Sequence, residues 1–166
     1  MTRRLATTAL GIVLLIALKS LCANSQDGDS RRFTLKGIDA VSVAVEPLPS
    51  SARALNLSAE NIQTDVELKL RLAGIRVVTK EERVKISGGP FIYVLVNITD
   101  DVKAANVRVL LAQDAVLERN FEFAPGLPTW EESVLVTNPN AQVVRNEVKD
   151  LLDMFLNAWL SVNPKK

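Results

Sequence analysis

A helix that stops at a glycine and continues directly into a strand is the feature that most constrains the fold of this 166-residue chain. Ser58 is a typical N-cap residue, because its hydroxyl accepts a hydrogen bond from the first turn of a helix. Apolar residues then recur at helical spacing on one side, at Ile62, Val66, Leu70 and Ala73. Gly74 suits the left-handed conformation that ends a helix. Residues 75–78 are apolar at three of four positions, which is typical of a buried strand.

An alternating stretch precedes this helix, and a short charged stretch follows it. Val41, Val43 and Val45 fall on one face of a strand that ends near two prolines. Strand, helix and strand in this order predict a βαβ unit with a right-handed connection. Downstream, Thr79 and Glu82 have the spacing of a capping box, which predicts a one-turn helix.

The middle of the chain predicts consecutive strands. Alternation over residues 91–98 indicates a central strand that is covered on both sides at one end. The alternation over 105–123 shifts near Gln113 and Asp114, which predicts a bulge or bend there. Residues 125–128, Pro-Gly-Leu-Pro, predict a loop before a further strand over 129–137. Short links between consecutive strands favour an antiparallel meander.

The chain ends with a long amphipathic helix. Asn138 is a candidate N-cap residue and Pro139 suits the first helical position. An apolar stripe at helical spacing follows, formed by Val144, Val148, Leu151, Leu152, Phe155 and Trp159. We therefore expect an α+β fold: a βαβ unit, then an antiparallel meander, about five strands in all, with two long helices packed on one face of the sheet.

The first 25 residues have the pattern of an export signal. Two arginines precede the short apolar run 10–18, which is well below the roughly 20 residues that a spanning helix needs. We expect residues 1–25 to be cleaved, 26–32 to form a mobile polar tether, and 33–166 to form one domain in the periplasm or outside the cell. Alternatives are lipidation of Cys22, an uncleaved anchor at 10–18, or a twin-arginine signal.

The composition after residue 25 excludes several classes of function. The mature chain has 17 basic against 19 acidic residues, so it lacks the basic field that nucleic acid binding requires. Cys22 is the only cysteine, and there is no histidine. These absences exclude a Ser-His-Asp triad, a Cys-His pair, an HExxH zinc site and an internal disulfide. No cofactor is indicated.

Carboxylates are the remaining candidates for chemistry. Asp100 and Asp101 follow a strand, and Asp114 lies at the predicted bend, so the three are candidate ligands for a hard cation such as calcium. The simpler interpretation is two turn-forming aspartates in a solvated hairpin, because the spaced D-x-D-x-D-G pattern is missing.

Three apolar residues are candidates for contact with a partner protein. Leu68 points away from the apolar stripe of the first helix, and Leu72 is expected to flank the core beside the C-terminal helix. Trp130 follows the Pro-Gly-Leu-Pro loop, where an aromatic ring can anchor a ligand or fill the end of a strand.

The segments "TDVELKLRLAGIRVVTKEE", "PFIYVLVNI" and "LNAWLSVNP" together resemble a family of small exported bacterial proteins to which no activity is attached. The predicted layout is also similar, at the level of fold only, to the amino-terminal α/β domain of the periplasmic protein TolB. A fold does not imply a function.

Two functions from different classes are consistent with these observations. The first is a non-catalytic envelope module that binds a protein or a small ligand through the helix-free face of the sheet, with self-association through Leu68 as a variant. The second is a carboxylate-based cation-binding domain or hydrolase that uses Asp100, Asp101 and Asp114. We expect the first, and we expect no enzymatic activity.

Overall fold

The structure is a computed structural model that describes residues 31–164. The predicted signal segment, Cys22 and most of the predicted tether lie outside these residues. Within the described part, no helix is both long enough and apolar enough to cross a membrane.

One five-stranded mixed sheet organises the described residues, with the strand order β2-β1-β3-β4-β5. The strands are β1 (Ala40–Val45), β2 (Arg76–Val77), β3 (Phe91–Ile98), β4 (Ala104–Val116) and β5 (Phe123–Thr137). The α-helices that follow β1 are α1 (Ala59–Ala73), α2 (Lys80–Arg83) and α3 (Ala141–Val162), and a 3-10 helix spans Ser50–Leu55. β1 runs parallel to β2 and β3, whereas β3, β4 and β5 are antiparallel neighbours. The predicted α+β fold is confirmed.

The local signals around α1 are confirmed. The Ser58 hydroxyl accepts a hydrogen bond from the backbone N–H of Asn61 at 3.2 Å, and Gly74 takes a left-handed φ of 96°. The backbone N–H of Ile75 then donates to the carbonyl of Leu70, which completes the end of the helix. The capping box of α2 is also present, with Glu82 accepting from the backbone N–H of Thr79 at 2.9 Å.

Replacement of Gly74 by alanine is expected to lower the free energy of unfolding by about 1–2 kcal/mol, because a Cβ disfavours the left-handed region. No neighbouring atom lies within 4 Å of the position that a Cβ would take, so the effect is conformational and not steric. Urea denaturation measures this change in the free energy of unfolding. Gly74→Asn is the matched control and should cost less, since asparagine tolerates this conformation; an equal cost for both variants would contradict the interpretation.

One continuous core lies between the sheet and the two long helices. β3 alternates strictly, with Ile92, Val94, Val96 and Ile98 all buried towards α1 and α3. The apolar stripes of both helices cover this face, as the spacing predicted. β3 is the central strand of the sheet, also as predicted.

Two boundaries differ from the sequence-based expectation at β5 and α3. β5 begins at Phe123, so the Pro-Gly-Leu-Pro segment expected to be a loop lies inside the strand. Its prolines are tolerated because β5 is an edge strand. The N-cap of α3 is Asn140, whose side chain accepts from the backbone N–H of Val143 at 2.9 Å. The expected cap, Asn138, instead turns the chain with a left-handed φ of 49°.

One further expectation is corrected at β2, and the described chain begins with a short helical segment. The sequence predicts a buried strand over 75–78, but only Arg76–Val77 pair, at the edge of the sheet, and Arg76 is exposed. Residues 31 and 32, assigned by composition to the mobile tether, are helical together with residue 33. The Arg31 guanidinium donates to the carbonyl of Glu131 at 3.3 Å, which fixes this segment beside β5.

Candidate functional site

The candidate site is the sheet face opposite α1 and α3, which we call the helix-free face. Alternation along the strands places on it every second residue of β3, β4 and β5. Its central members are Tyr93 and Leu95 of β3, Asn106, Arg108 and Leu110 of β4, and Glu131, Ser133 and Leu135 of β5. Neither of the helices Ala59–Ala73 and Ala141–Val162 contributes buried residues to it; their buried residues all join the core on the other side.

An ion pair occupies the middle of the helix-free face. The Arg108 guanidinium donates to a Glu131 carboxylate oxygen at 2.5 Å, and both side chains are about one-third exposed. The Nε atom of Arg108 is buried and has no hydrogen-bond partner within the described residues. A buried donor without an acceptor is unfavourable. The exposed part of the Arg108–Glu131 pair, about one-third of each side chain, is what a binding partner would meet at this position.

Apolar side chains surround this ion pair. Leu135 is 69% exposed and lies directly across from Asn106 in the β4–β5 pairing. Tyr93 is half-buried and meets the edge of the Phe91 ring at a centroid distance of 6.2 Å. The Arg83 guanidinium stacks over Phe91 at 4.5 Å and closes that end of the face. An apolar surface with a central oriented charge pair is suited to recognising another protein.

The structure places the predicted aspartates at opposite ends of β4 and does not bring them together. Asp101 lies in the β3–β4 turn, where the Thr99 hydroxyl donates to it at 2.7 Å and holds the pKa of this carboxyl below its usual value. Asp100 is its exposed neighbour in the same turn. Asp114 accepts from the backbone N–H of Gly126 at 2.9 Å, near the other end of the strand. Among residues 31–164, no three acidic side chains are grouped so as to hold a metal ion.

The predicted partner-binding residues differ in accessibility. Leu68 and Leu72 are 55% and 76% exposed on α1. Leu72 was expected to flank the core beside α3, but its side chain is mostly exposed and does not join the core. Trp130 is only 5% exposed, and its ring packs edge-on against Phe155 at 5.3 Å. It fills the core at this strand and is not accessible as a surface anchor.

Sequence reasoning missed a projecting hairpin at the end of β4 and β5. The two strands continue beyond the first residue of β3, which pairs with Ala112. We call residues 113–127 the arm. Val116 pairs with Phe123 across the arm, and both are more than 60% exposed. The alternating Phe-Glu-Phe of residues 121–123 was the one local signal for it.

The stability of the fold does not explain why position 121, at the tip of the arm, is a phenylalanine. Its side chain is 81% exposed, so it adds little to the core. Its φ of 57° lies in the left-handed region, which is strained for a bulky residue by about 1 kcal/mol or more. Its backbone N–H donates to the carbonyl of Leu117 at 2.7 Å, so the turn holds this conformation. Both the exposure and the strain disfavour phenylalanine here.

A groove lies on the other side of β5, between its edge and α3. It encloses about 450 Å³. Apolar atoms come from Trp130, Met154 and Ala158, and charged groups come from Arg31, Arg32 and Glu132, with Asn157 also in its wall. We call it the β5–α3 groove.

The fold and these surfaces define a small α+β domain. The chain matches no protein-family model and no curated protein sequence. Solved structures that are similar to it include two dodecamers of PelC from Paraburkholderia phytofirmans. One, a variant, is 15% identical with a TM-score of 0.44 and covers 70% of this chain and 85% of the PelC chain. The other is 14% identical with a TM-score of 0.39 and covers 75% and 87%. At these scores the likeness carries no argument about function.

Proposed function

We propose that this chain is an exported, non-catalytic module of the bacterial envelope that binds a protein partner through its helix-free face. The observation that carries the proposal is the combination of exposed Leu135 with the Arg108–Glu131 pair on one sheet face. An exposed leucine alone needs no explanation. An exposed leucine on the same face as a partly exposed guanidinium–carboxylate pair offers a partner both an apolar contact and an oriented charged group.

The chemistry of the chain supports a binding role over a catalytic one. It contains no histidine, and its single cysteine precedes the predicted cleavage site. The aspartates that a cation-dependent reaction would use are separated by the length of β4. Export rests on the amino-terminal pattern of two arginines followed by a short apolar run. Binding in the periplasm, by a cleaved or an anchored form, is consistent with that pattern.

Site-specific photo-crosslinking in the producing cell tests the proposal. A photoreactive phenylalanine analogue placed at Leu135 is expected to give a discrete adduct with another protein. The same analogue at Leu72, which is comparably exposed on α1, is expected to give none. Adducts at Leu72 alone would move the interface to the outer side of α1, and adducts at neither position would overturn the binding function. Mass spectrometry of the Leu135 adduct identifies the partner.

A charge variant provides the matching functional measurement. Arg108→Leu removes the guanidinium from the centre of the helix-free face and is expected to weaken the Leu135 adduct by at least tenfold, since interfacial charge pairs that lose one partner cost a few kcal/mol. Arg119→Leu, on the arm, removes the same charge elsewhere and should leave the adduct intensity unchanged. Equal loss in both variants would indicate general attraction by charge and not a specific site.

A further inference from the structure

β5 is an edge strand of the sheet, and the first part of its outer edge is protected against pairing with another strand. The two prolines of residues 125–128 lack the backbone N–H groups that a further strand would use. The Thr34 hydroxyl donates to the carbonyl of Thr129 at 3.3 Å. The Arg31 guanidinium donates to the carbonyl of Glu131, also at 3.3 Å. Prolines and covering segments are common means of preventing association at a sheet edge.

The last part of the same strand, residues 133–137, has no such protection. The backbone N–H of Asn138 donates to the carbonyl of Lys103 beside β4. Because an antiparallel ladder alternates, the even-numbered residues of the segment face β4 and the odd-numbered ones face outwards. Their outward N–H and carbonyl groups bond to no other residue in the described part of the chain. We call this stretch the open edge. Its outward residues are Ser133, Leu135 and Thr137.

The side chains of the open edge also favour strand pairing. The sequence of residues 133–137 is Ser-Val-Leu-Val-Thr, which contains no charge and no proline. An uncharged edge rich in β-branched residues is a template for a further strand. Leu135, at its centre, is 69% exposed on the helix-free face. The strand ends at Thr137, because Asn138 turns the chain with a φ of 49° and Pro139 has no N–H.

From these observations we propose that the open edges of two copies of this chain pair antiparallel about a two-fold axis at Leu135. Ser133 of each copy then lies opposite Thr137 of the other, and the two Leu135 residues lie opposite each other. Each of these residue pairs exchanges two hydrogen bonds, because the N–H and carbonyl groups of all three residues face outwards. The two five-stranded sheets become one continuous sheet.

A second copy is the occupant because the open edge is complementary to itself. It is bounded on one side by Glu131, whose carbonyl already accepts from Arg31, and on the other side by Pro139. An antiparallel copy has the same length and the same bounds. In the register centred on Leu135, every outward group of one copy therefore meets a partner on the other. A register shifted by two residues places an outward residue opposite Glu131 or Pro139 and loses hydrogen bonds.

The side chains on the helix-free face agree with this register. The two Leu135 side chains meet at the axis and leave water, which favours association. Ser133 and Thr137 oppose each other, so no like charges are brought together. The Arg108–Glu131 pair lies outside the paired segment and stays available to a further partner. The inference therefore goes beyond the proposed function, with which it shares the exposed Leu135.

Sedimentation equilibrium of the natively processed chain measures the association. The contact is isologous, so we expect it to end at a dimer. The paired segment is short, and we expect a dissociation constant on the order of 1–100 µM. The wild type should pass from monomer to dimer, and to nothing larger, as its concentration rises to about 500 µM.

Ser133→Pro tests the backbone hydrogen bonds of the open edge. The N–H of residue 133 faces outwards, so proline leaves the ladder with β4 intact and removes one donor of each copy from the dimer. This variant is expected to stay monomeric, and in dilute solution to melt within a few degrees of the wild type. Ser133→Ala keeps the N–H and is the matched control, which should form a dimer as the wild type does.

Opposite charges at position 135 test the register. Leu135→Lys and Leu135→Glu each place like charges opposite each other at the axis, so each is expected to stay monomeric. An equimolar mixture of the two is expected to form a 1:1 heterodimer, since a lysine then lies opposite a glutamate. Mixing does not restore a variant that has failed to fold, so this rescue reports the contact itself. Leu72→Lys, comparably exposed on α1, should form a dimer as the wild type does.

Three results would overturn the inference. They are a wild type that stays monomeric at about 500 µM, a dimer that persists in Ser133→Pro, and a mixture of the two charge variants that stays monomeric. The mass of the Leu135 photo-adduct separates this inference from the proposed function. An adduct of twice the mass of the chain supports the dimer. An adduct of another mass, from a chain that is monomeric, overturns the dimer, assigns the open edge to that other protein and leaves the proposed function standing.

Discussion

Replacement of Phe155 by alanine is expected to lower the free energy of unfolding by about 3–5 kcal/mol, a large fraction of the stability of a domain of this size. Phe155 is fully buried at the centre of the α3 stripe, and its ring meets that of Trp130 at 5.3 Å. The substitution removes the burial of the ring and leaves a cavity between α3 and β5. The melting temperature should fall by roughly 10–20 °C.

Phe123→Ala is the matched control, because it makes the same chemical change at a ring that is 66% exposed on the arm. Its free energy of unfolding should change by less than about 0.5 kcal/mol. Urea denaturation followed by tryptophan fluorescence reports both variants. Comparable losses in the two variants would show that the core between α3 and the sheet does not carry the stability assigned to it.

Helix α1 was predictable because its signals are local. Ser58 and Gly74 act on backbone groups within a few residues of themselves, so spacing along the chain is enough to place both ends. The start of α3 was misplaced by two residues because Asn138-Pro139-Asn140 offers two asparagines of equal local quality. The choice between them depends on how the chain leaves β5, where Asn138 turns with a positive φ.

The start of β5 was misplaced for a different reason. The Pro-Gly-Leu-Pro segment has the composition of a loop. It pairs nonetheless, because β4 continues beside it and because an edge strand leaves one row of backbone groups free of the ladder. The residue propensities of one segment do not show whether another segment of the chain pairs with it in the sheet.

The candidate sites show the same division between local and long-range information. Alternation was enough to predict a helix-free face, since side chains on neighbouring strands share a face. The aspartates looked close because two of them are adjacent in sequence, whereas β4 carries Asp114 away from them. The β5–α3 groove could not be predicted at all. It joins Arg31 to Met154, and only the packing of α3 beside the edge strand brings them together.

Replacement of Asp65 by asparagine is expected to lower the free energy of unfolding by about 2 kcal/mol at pH 7, within the range for hydrogen bonds to charged groups. Asp65 lies on α1 and accepts two hydrogen bonds from the Arg145 guanidinium of α3, at 2.8 and 3.0 Å. Lys149 is 3.4 Å from the same carboxylate, whose side chain is mostly buried. The asparagine keeps the shape but leaves both cations without their counter-ion.

The loss should depend on pH in one direction. The hydrogen bond from Arg145 is the main cause that lowers the pKa of Asp65 in the folded chain below its ordinary value of 3.8. The stabilisation from this carboxylate is therefore fully present above the unfolded pKa and is lost as the pH falls through the folded pKa. Wild type and Asp65→Asn should begin to converge in stability as the pH falls below 3.8, should meet only below the folded pKa, and should differ most near neutrality.

Asp153→Asn is the control for this prediction, because Asp153 joins the same two helices through Lys69 at 2.6 Å but is 53% exposed. An exposed ion pair is screened by water, so this variant should lose less than about 1 kcal/mol. Denaturation curves from roughly pH 2 to pH 7, a range that extends below the unfolded pKa of a carboxyl, compare the two variants. A loss for Asp65→Asn that stays constant across this range would mean that the charge of Asp65 contributes nothing, and that the α1–α3 contact depends on apolar packing alone.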